Sequence, residues 1–452
     1  MATCHSPRTS STSLAAPRRN ETLVRGSRAR RTAAPSLPCA QKDTAMAKSG
    51  NPAKSAGIPH TDNPRSILWA SNSPYAATGY GQQTAQVTTR LRDAGHKVAI
   101  ASNYGLEGTV TEWQGIKHFP RGFDLYSNDV VPAHFMAWVH ENPGLDPLLV
   151  TLFDTWVFKG QQWDVVDKIA SWVPIDHTPC PPDVKAWCSR PNVTPLAMSR
   201  FGQAALDRAG IESLYVPHAI DTSVFKPTEK FDAGDRRMTG REFMEIPDTN
   251  HYVVGVNSAN KGGRNGHNRK AYPEMFLAFS MWSQKRTDAV LYVHTEDKGA
   301  MGGINLRELA QACGIPNERI VFVDQYAYRT GIPQNILAAI YTGMDVLLQP
   351  SLGEGFGIPA IEAQACGTPI IVNNSTAQPE LVGDGWICEG QPVWDDAQKS
   401  WWLTPSVPTI IENLEAAYQR GQGRSAEAIK FAKDYDADKV FAEYWAPALE
   451  SL

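Results

Sequence analysis

From residue 67 the chain alternates short apolar runs with amphipathic stretches, a pattern that predicts strands and helices in turn. "ILWASN" (67–72) reads as a buried strand and a glycine-rich loop follows it. "QTAQVTTRLRDAG" (83–95) then carries a helical pattern that Gly95 closes. "HKVAIAS" returns as a strand, as do "LLVTLFD" (148–154), "WVPIDH" (172–177), "TPLAMS" (194–199) and "SLYVPHA" (213–219), with helical stretches such as "FGQAALDRAG" between some of them. Apolar strands alternating with helices fit a parallel sheet covered on both faces.

Residues 226–249 break the rhythm with polar residues and read as a linker. The alternation restarts with "YVVGVNS" (252–258) and runs through "AVLYVHTED" (289–297), "RIVFVDQ" (319–325), "DVLLQPS" (345–351) and "PIIVNN" (369–374), each separated by a helical stretch or loop. The expected architecture is α/β: two tandem, doubly wound Rossmann-like domains, 64–225 and 250–425, with a cleft between them. Residues 426–452 are expected to be helical and to pack back on the first domain. In such sheets ligands bind beyond the carboxyl ends of the strands.

Composition changes this picture only at its margins. The 452 residues are 42% hydrophobic and 20% charged, as in a globular protein, and no apolar run approaches the length of a membrane span. Residues 1–45 hold seven Arg and one Lys against Glu21 and Asp43, a net +6, which leaves −10 for the rest of a chain whose total is −4. The acidic body argues against non-specific nucleic-acid binding. Residues 1–63 read as a disordered basic Ser/Arg/Pro-rich arm. Its readings stay open: a plain tail, an upstream artefact with Met46 as the true start, a transit peptide for organelle import, or a functional basic arm. Seven scattered cysteines without a C-x-x-C pair suggest reduced thiols in a cytoplasmic protein.

Chemistry concentrates in "SLGEGFGIPAIEAQACGTPII" (351–371). "DVLLQPS" brings the chain to a strand's carboxyl end, "LGEGFG" turns, and Pro359 suits the first position of a helix. Glu354 then lies on the loop and Glu362 near the first helical turn. The amides of Gly355, Phe356 and Gly357, with a helix start behind them, form a natural anion site. Carboxylates on either side of it can accept hydrogen bonds from hydroxyls. Hydroxyls, diphosphate, hydroxyls: that is the outline of a nucleotide sugar. Against this, a lone Glu in a first helical turn would need no ligand.

These residues resemble the donor-site signature of the retaining GT-B glycosyltransferases, family 4 (glycosyl transferases group 1) in particular. The resemblance extends through "MSRFGQAALDRAG", "VPHAIDTSVFKP" and "STAQPELVGDG", covering roughly residues 65–425. It implies that Glu354 contacts the donor sugar and Glu362 the ribose. It also implies a basic pair on the diphosphate: Lys270 matches the family's lysine, and Arg264 or Arg269 replaces the arginine, since Ala259-Asn260 stands where Gly-Arg is common. The loop 73–84, with Gly79 and Gly81, is implied to face the cleft near donor phosphate and acceptor. It fails as a dinucleotide fingerprint, because Thr84 stands where the third glycine should be. A family His-Asp pair is replaced by Phe153-Asp154, so His177 with Asp176 is the candidate to serve near the sugar. His218 reads as structural.

The function implied is transfer of a sugar from a nucleotide-diphosphate donor to an acceptor hydroxyl. It would proceed with retention, without a metal, and with no cofactor beyond the donor itself. "DYDADK" (434–439) lacks the glycine and closing Glu of a calcium loop and reads as a helix cap. The alternatives are another GT-B enzyme (a sugar-nucleotide epimerase or a phosphorylase-like enzyme) or a non-catalytic nucleotide- or sugar-binding protein. The acceptor is open among glycan, lipid, small molecule, protein and DNA, as are the sugar, the base and the oligomeric state. Base contacts are expected around Tyr326–Thr330. The aromatics Trp113, Phe119, Phe123, Tyr126 and Trp138 are expected to pack in the core.

Overall fold

A computed structural model describes residues 58–234, 236–261 and 267–452. The basic arm, apart from its last six residues, and Arg264 lie outside the described residues.

The first sheet contains β1 (Arg65–Ser71), β2 (Lys97–Ser102), β3 (Thr111–Trp113), β4 (Ile116–Phe119), β5 (Asp146–Leu152), β6 (Ile169–Val173), β7 (Val193–Ala197) and β8 (Leu214–Tyr215). They pair in the order β3-β4-β2-β1-β5-β6-β7-β8, parallel except for the β3–β4 hairpin. After a small hairpin of β9 (Phe231–Ala233) and β10 (Arg236–Met238) comes the second sheet. It contains β11 (Tyr252–Val256), β12 (Ala289–Val293), β13 (Ile320–Phe322), β14 (Val346–Gln349), β15 (Ile370–Asn373) and β16 (Gly385–Cys388). Their order, β13-β12-β11-β14-β15-β16, is all parallel. The strand order therefore reverses between β1 and β5 in one sheet and between β11 and β14 in the other. At such switch points the loops on the two sides diverge and leave a crevice.

The central strands are apolar because both faces are covered. β6 and β11, for example, are buried along their whole length. Two features depart from the expected layout. The segment 226–249, read as a linker, has structure of its own: β9, β10 and the short helix Gly240–Phe243 fold onto the helix Gln334–Gly343. Phe231, Met238, Met244 and Ile246 are buried there, and Gly240 lies so close to Ala339 O that a Cβ would meet it at 1.8 Å. The second feature is a two-stranded hairpin, β17 (Gly390–Asp395) and β18 (Ser400–Pro405), between the second sheet and the helix Val407–Arg420. The five aromatics also divide. Phe119 and Trp138 are buried, Trp113 and Tyr126 are partly buried, and Phe123 is fully exposed.

After Ser425 the helix Ala426–Ala432 packs on the helix Ile358–Ala365 of the second domain, and the segments from Tyr435 onward reach the first domain. Trp445 packs on Trp69 and Trp172 at ring-centroid distances of 5.6 and 4.9 Å, and Arg90 pairs with Asp438 at 2.7 Å. Asp436 caps the helix Ala437–Val440 and also accepts from the Thr222 hydroxyl. No helix among the described residues is long and apolar enough to cross a membrane.

Candidate functional site

The loops after β11 and β14 meet at the second sheet's switch point. Ala271, in a left-handed conformation (φ 58°), turns the first loop into the helix Tyr272–Ser283. A non-glycine residue there costs about 1 kcal/mol or more. The turn places Arg269 and Lys270 against the second loop, where Leu352 N donates to Arg269 O at 2.8 Å. Arg269 Nη1 donates to Gly353 O at 2.7 Å and to Glu354 Oε2 at 3.2 Å, and Lys270 Nζ pairs with Glu354 Oε1. Glu354 is 7% exposed. Burial alone would raise its carboxyl, but Lys270 and Arg269 together hold it down at about 2. Lys270 moves the other way, to about 8, because burial and the neighbouring Arg269 outweigh Glu354.

The helix that follows begins one residue earlier than expected. Gly357, at φ 114°, is its N-cap, Ile358 opens it, and Pro359 is second. Glu362 therefore lies in the second turn, where its side chain leans back toward the helix start. It is 2% exposed. Tyr341 donates to its Oε2 at 2.8 Å, while Asn257 Nδ2 donates to Tyr341 Oη at 2.6 Å. Oε1 is buried without a hydrogen-bond partner. Burial pushes the Glu362 carboxyl up to about 7, and Tyr341 and Gln82 offset that only in part. Among the described residues, no protein acceptor takes the amides of Gly355, Phe356 or Gly357.

The first domain closes over this loop. A Cβ on Gly355 would meet Pro174 Cβ at 2.4 Å, one on Gly353 would meet Asp176 O at 2.1 Å, and one on Gly79 would meet Ile358 Cδ1 at 3.2 Å. Phe356 is buried between His218 and Tyr435, with ring centroids 5.3 and 5.6 Å away. His218 is packed on Trp172, and burial lowers it to about 3, so it serves as a neutral packing residue. Gly79 is the first residue of the helix Gly79–Asp93, which Thr78 caps, rather than part of the loop. Gly81, in the same first turn, is required by the turn itself, since a Cβ there would meet Ala76 O at 2.3 Å.

His177 does not face the cleft. It is 2% exposed and stacks on Trp402 at 4.5 Å. Its Nδ1 lies 2.7 Å from Asp176 Oδ1 and its Nε2 3.2 Å from Asp395 Oδ2, so both ring nitrogens are engaged. What reaches the cleft from the first domain is Asp176, 3.8 Å from Arg269 and held low by His177 and the cations against its burial. Asp154, at the end of β5, accepts from Tyr80 Oη at 3.2 Å. It is raised, by loss of hydration in the cleft and then by Asp176.

Residues 290–399 match the family model described as glycosyl transferases group 1, a span that includes Glu354 and Glu362. That span lies within the second domain, and the fold is GT-B. D-inositol 3-phosphate glycosyltransferase of Segniliparus rotundus is 29% identical over 171 residues, which are 36% of this chain and 37% of that protein. An MMP alpha-(1->4)-mannosyltransferase of Mycolicibacterium hassiacum is 44% identical over 59 residues, 13% of this chain and 14% of its own. The chain thus spans well under half the length of these relatives. Among solved structures, a glycosyltransferase from Rickettsia africae superposes with a TM-score of 0.59 at 15% identity, covering 86% of this chain and 98% of that one. Anabaena Alr3699/HepE, solved in complex with UDP and glucose, gives 0.59 at 16% identity, covering 86% and 100%.

In this GT-B cleft the structure brings Arg269, Lys270 and Glu354 into direct contact, with Glu362 in the second turn of the helix that follows the 355–357 loop. Sequence reading named Asp176 only as the companion of His177, and it missed Tyr80, Tyr341, Asn257 and Asp395 as parts of the site or its support. A signal existed for Asp154 and Asp176, since both follow the carboxyl ends of central strands. Tyr341 and Asn257 carried none. Tyr326, expected near the base, is 75% exposed on the helix Gln325–Thr330.

Proposed function

We propose that the chain is a glycosyltransferase that moves a sugar from a nucleotide-diphosphate donor to an acceptor hydroxyl. The donor lies in the second domain and the acceptor approaches from the first. One observation supports this reading: Glu354 held by the Arg269–Lys270 pair, three unpaired amides and a buried Glu362 all belong to the loops and helix starts at a single switch point. Acceptors for hydroxyls together with cations and amides for a diphosphate are what a nucleotide sugar needs. The two cations and the amides offset the charge that develops on the departing diphosphate, which is the role assigned here without a metal. Removing one such preorganised group costs on the order of 3 kcal/mol in the barrier, so Lys270→Ala is expected to lose two to three orders of magnitude in turnover. Retention at the anomeric carbon belongs to the same reading, and product stereochemistry checks it. A cytoplasmic location is proposed on the free cysteines of the described residues.

One observation favours a second reading. Phe153 is buried against Phe158 at 5.2 Å, so the resemblance's histidine has no counterpart at that position. A binding protein of the same fold would hold the nucleotide and turn nothing over. A thermal-shift panel with UDP, GDP, ADP, NAD and their sugar conjugates, run beside Glu362→Ala, tests the donor site. Ligand at a hundred times its Kd adds about 2.7 kcal/mol. One nucleotide diphosphate stabilising the parent and not the variant supports the site, and turnover with that donor then separates the two readings. No shift with any nucleotide, in folded protein, overturns the donor reading.

A further inference from the structure

Glu362 is an unusual carboxylate because one of its oxygens accepts from Tyr341 while the other is buried without a hydrogen-bond partner, the Gln82 side chain lying near the group. A buried acceptor without a partner is costly, and such groups persist where a ligand completes them. The committed oxygen is held by a two-step chain. Asn257, just beyond β11, donates to Tyr341 Oη, and Tyr341, on the helix Gln334–Gly343, donates to Glu362 Oε2. A hydroxyl that accepts one hydrogen bond becomes a stronger donor of the next. The chain therefore does two things at once. It fixes the carboxylate's rotation, leaving Oε1 as the free acceptor, and it favours the ionised form over the neutral one.

We propose that Tyr341 is a positioning residue for the donor: held by Asn257, it sets Glu362 so that the free Oε1 accepts from the ribose, and donor binding requires the ionised carboxylate. This rests on the nucleotide-sugar reading above. The groups that bear on Glu362 are Tyr341, Gln82 on the helix Gly79–Asp93, and Cys366 at the end of its own helix. Burial holds Tyr341 and Cys366 neutral, both well above their ordinary values. Gln82 does not titrate. Glu362, near 7, is thus the group of this cluster that changes charge between pH 6 and 8. Lys270, near 8, adds a separate alkaline limb.

The test is calorimetric titration of the full chain with UDP-glucose, GDP-mannose and ADP-glucose from pH 5.5 to 9. These probes are chosen because a diphosphate esterified at both ends has no phosphate that titrates near neutrality. Affinity for the probe that binds is expected to fall roughly tenfold between pH 8 and pH 6. In Tyr341→Phe the midpoint of that fall moves up by roughly half to one pH unit. The variant therefore binds several-fold more weakly at pH 7 and recovers toward the parent's affinity at pH 8.5. Asn257→Ala moves the midpoint the same way by less, and serves if Tyr341→Phe does not fold. Glu362→Gln keeps only the alkaline limb. A merely structural tyrosine would lower Tm without moving the midpoint, and that result overturns the proposal. So does a parent whose affinity is flat between pH 6 and 8. If none of the probes binds at any pH, the donor reading itself falls, a different outcome from a bound probe with an unmoved midpoint.

Discussion

At the scale of single residues, two glutamates with seven residues between them in the chain affect stability with opposite sign. Glu354, held near 2 by Lys270 and Arg269, favours the folded state above the ordinary carboxylate range, and that contribution is lost as pH falls from about 4.5 toward 2. Glu362, raised to about 7, binds its proton more tightly folded than unfolded, so stability falls as pH rises from about 4.5 to 7. Glu362→Gln is therefore expected to be more stable than the parent at pH 8, by up to about 3 kcal/mol, and equal to it near pH 4. Urea unfolding at the two pH values checks this. Glu354→Gln should destabilise at pH 7 by about 3 kcal/mol, because it leaves two largely buried cations without their carboxylate. A stabilising Glu362→Gln that binds donor more weakly would show stability given up for function at one atom.

Among the elements, the hairpin of β17 and β18 has the clearest task. Its Trp401 exchanges two backbone hydrogen bonds with Thr178, at 3.0 and 2.9 Å, and Ser400 Oγ donates to Pro179 O at 2.5 Å. Asp395 and Trp402 enclose His177, which in turn holds Asp176 toward Arg269. The hairpin thus ties the second domain to the carboxyl end of β6. Trp402→Ala is expected to cost about 3–5 kcal/mol and to leave Asp176 poorly oriented, read as a lower urea midpoint together with weaker donor binding. A second tie is Glu380. Its two oxygens accept from the amides of Arg200 and Phe201, at 2.9 and 3.0 Å, at the start of the helix Arg200–Arg208. Glu380→Ala should cost about 1–2 kcal/mol, as the loss of a cap does.

On the scale of the whole molecule, the two domains meet at glycines: Gly353 and Gly355 lie against Asp176 and Pro174. Nothing larger fits between Gly355 and Pro174, so a side chain there acts as a wedge. Gly355→Val is expected to leave each domain folded while holding them apart. Solution scattering should report a larger radius of gyration than the parent's, and turnover should be lost. An unchanged radius would mean that the contact relaxes locally instead. The C-terminal helices work at the same scale, because Trp445 completes a cluster with Trp69 and Trp172 in the first domain although it follows the second in sequence.

What the sequence by itself determined was whatever repeats locally or sits in one short stretch. The strand–helix alternation gave two parallel sheets, and "LGEGFGIPAIE" located the crevice because glycines, proline and carboxylates within eleven residues define a strand end, a turn and a helix start. Lys270 and Arg269 were legible as cations before a helix. The packing of 226–249 was not, since its buried Phe231, Met238, Met244 and Ile246 are spaced without period among charges. Only the tertiary structure decided that His177 turns away from the cleft, that Asp176 reaches Arg269, and that Tyr341 and Asn257 hold Glu362. Those contacts join residues 21 to more than 200 positions apart. No local pattern encodes them, because they follow from which strand ends the two sheets bring face to face.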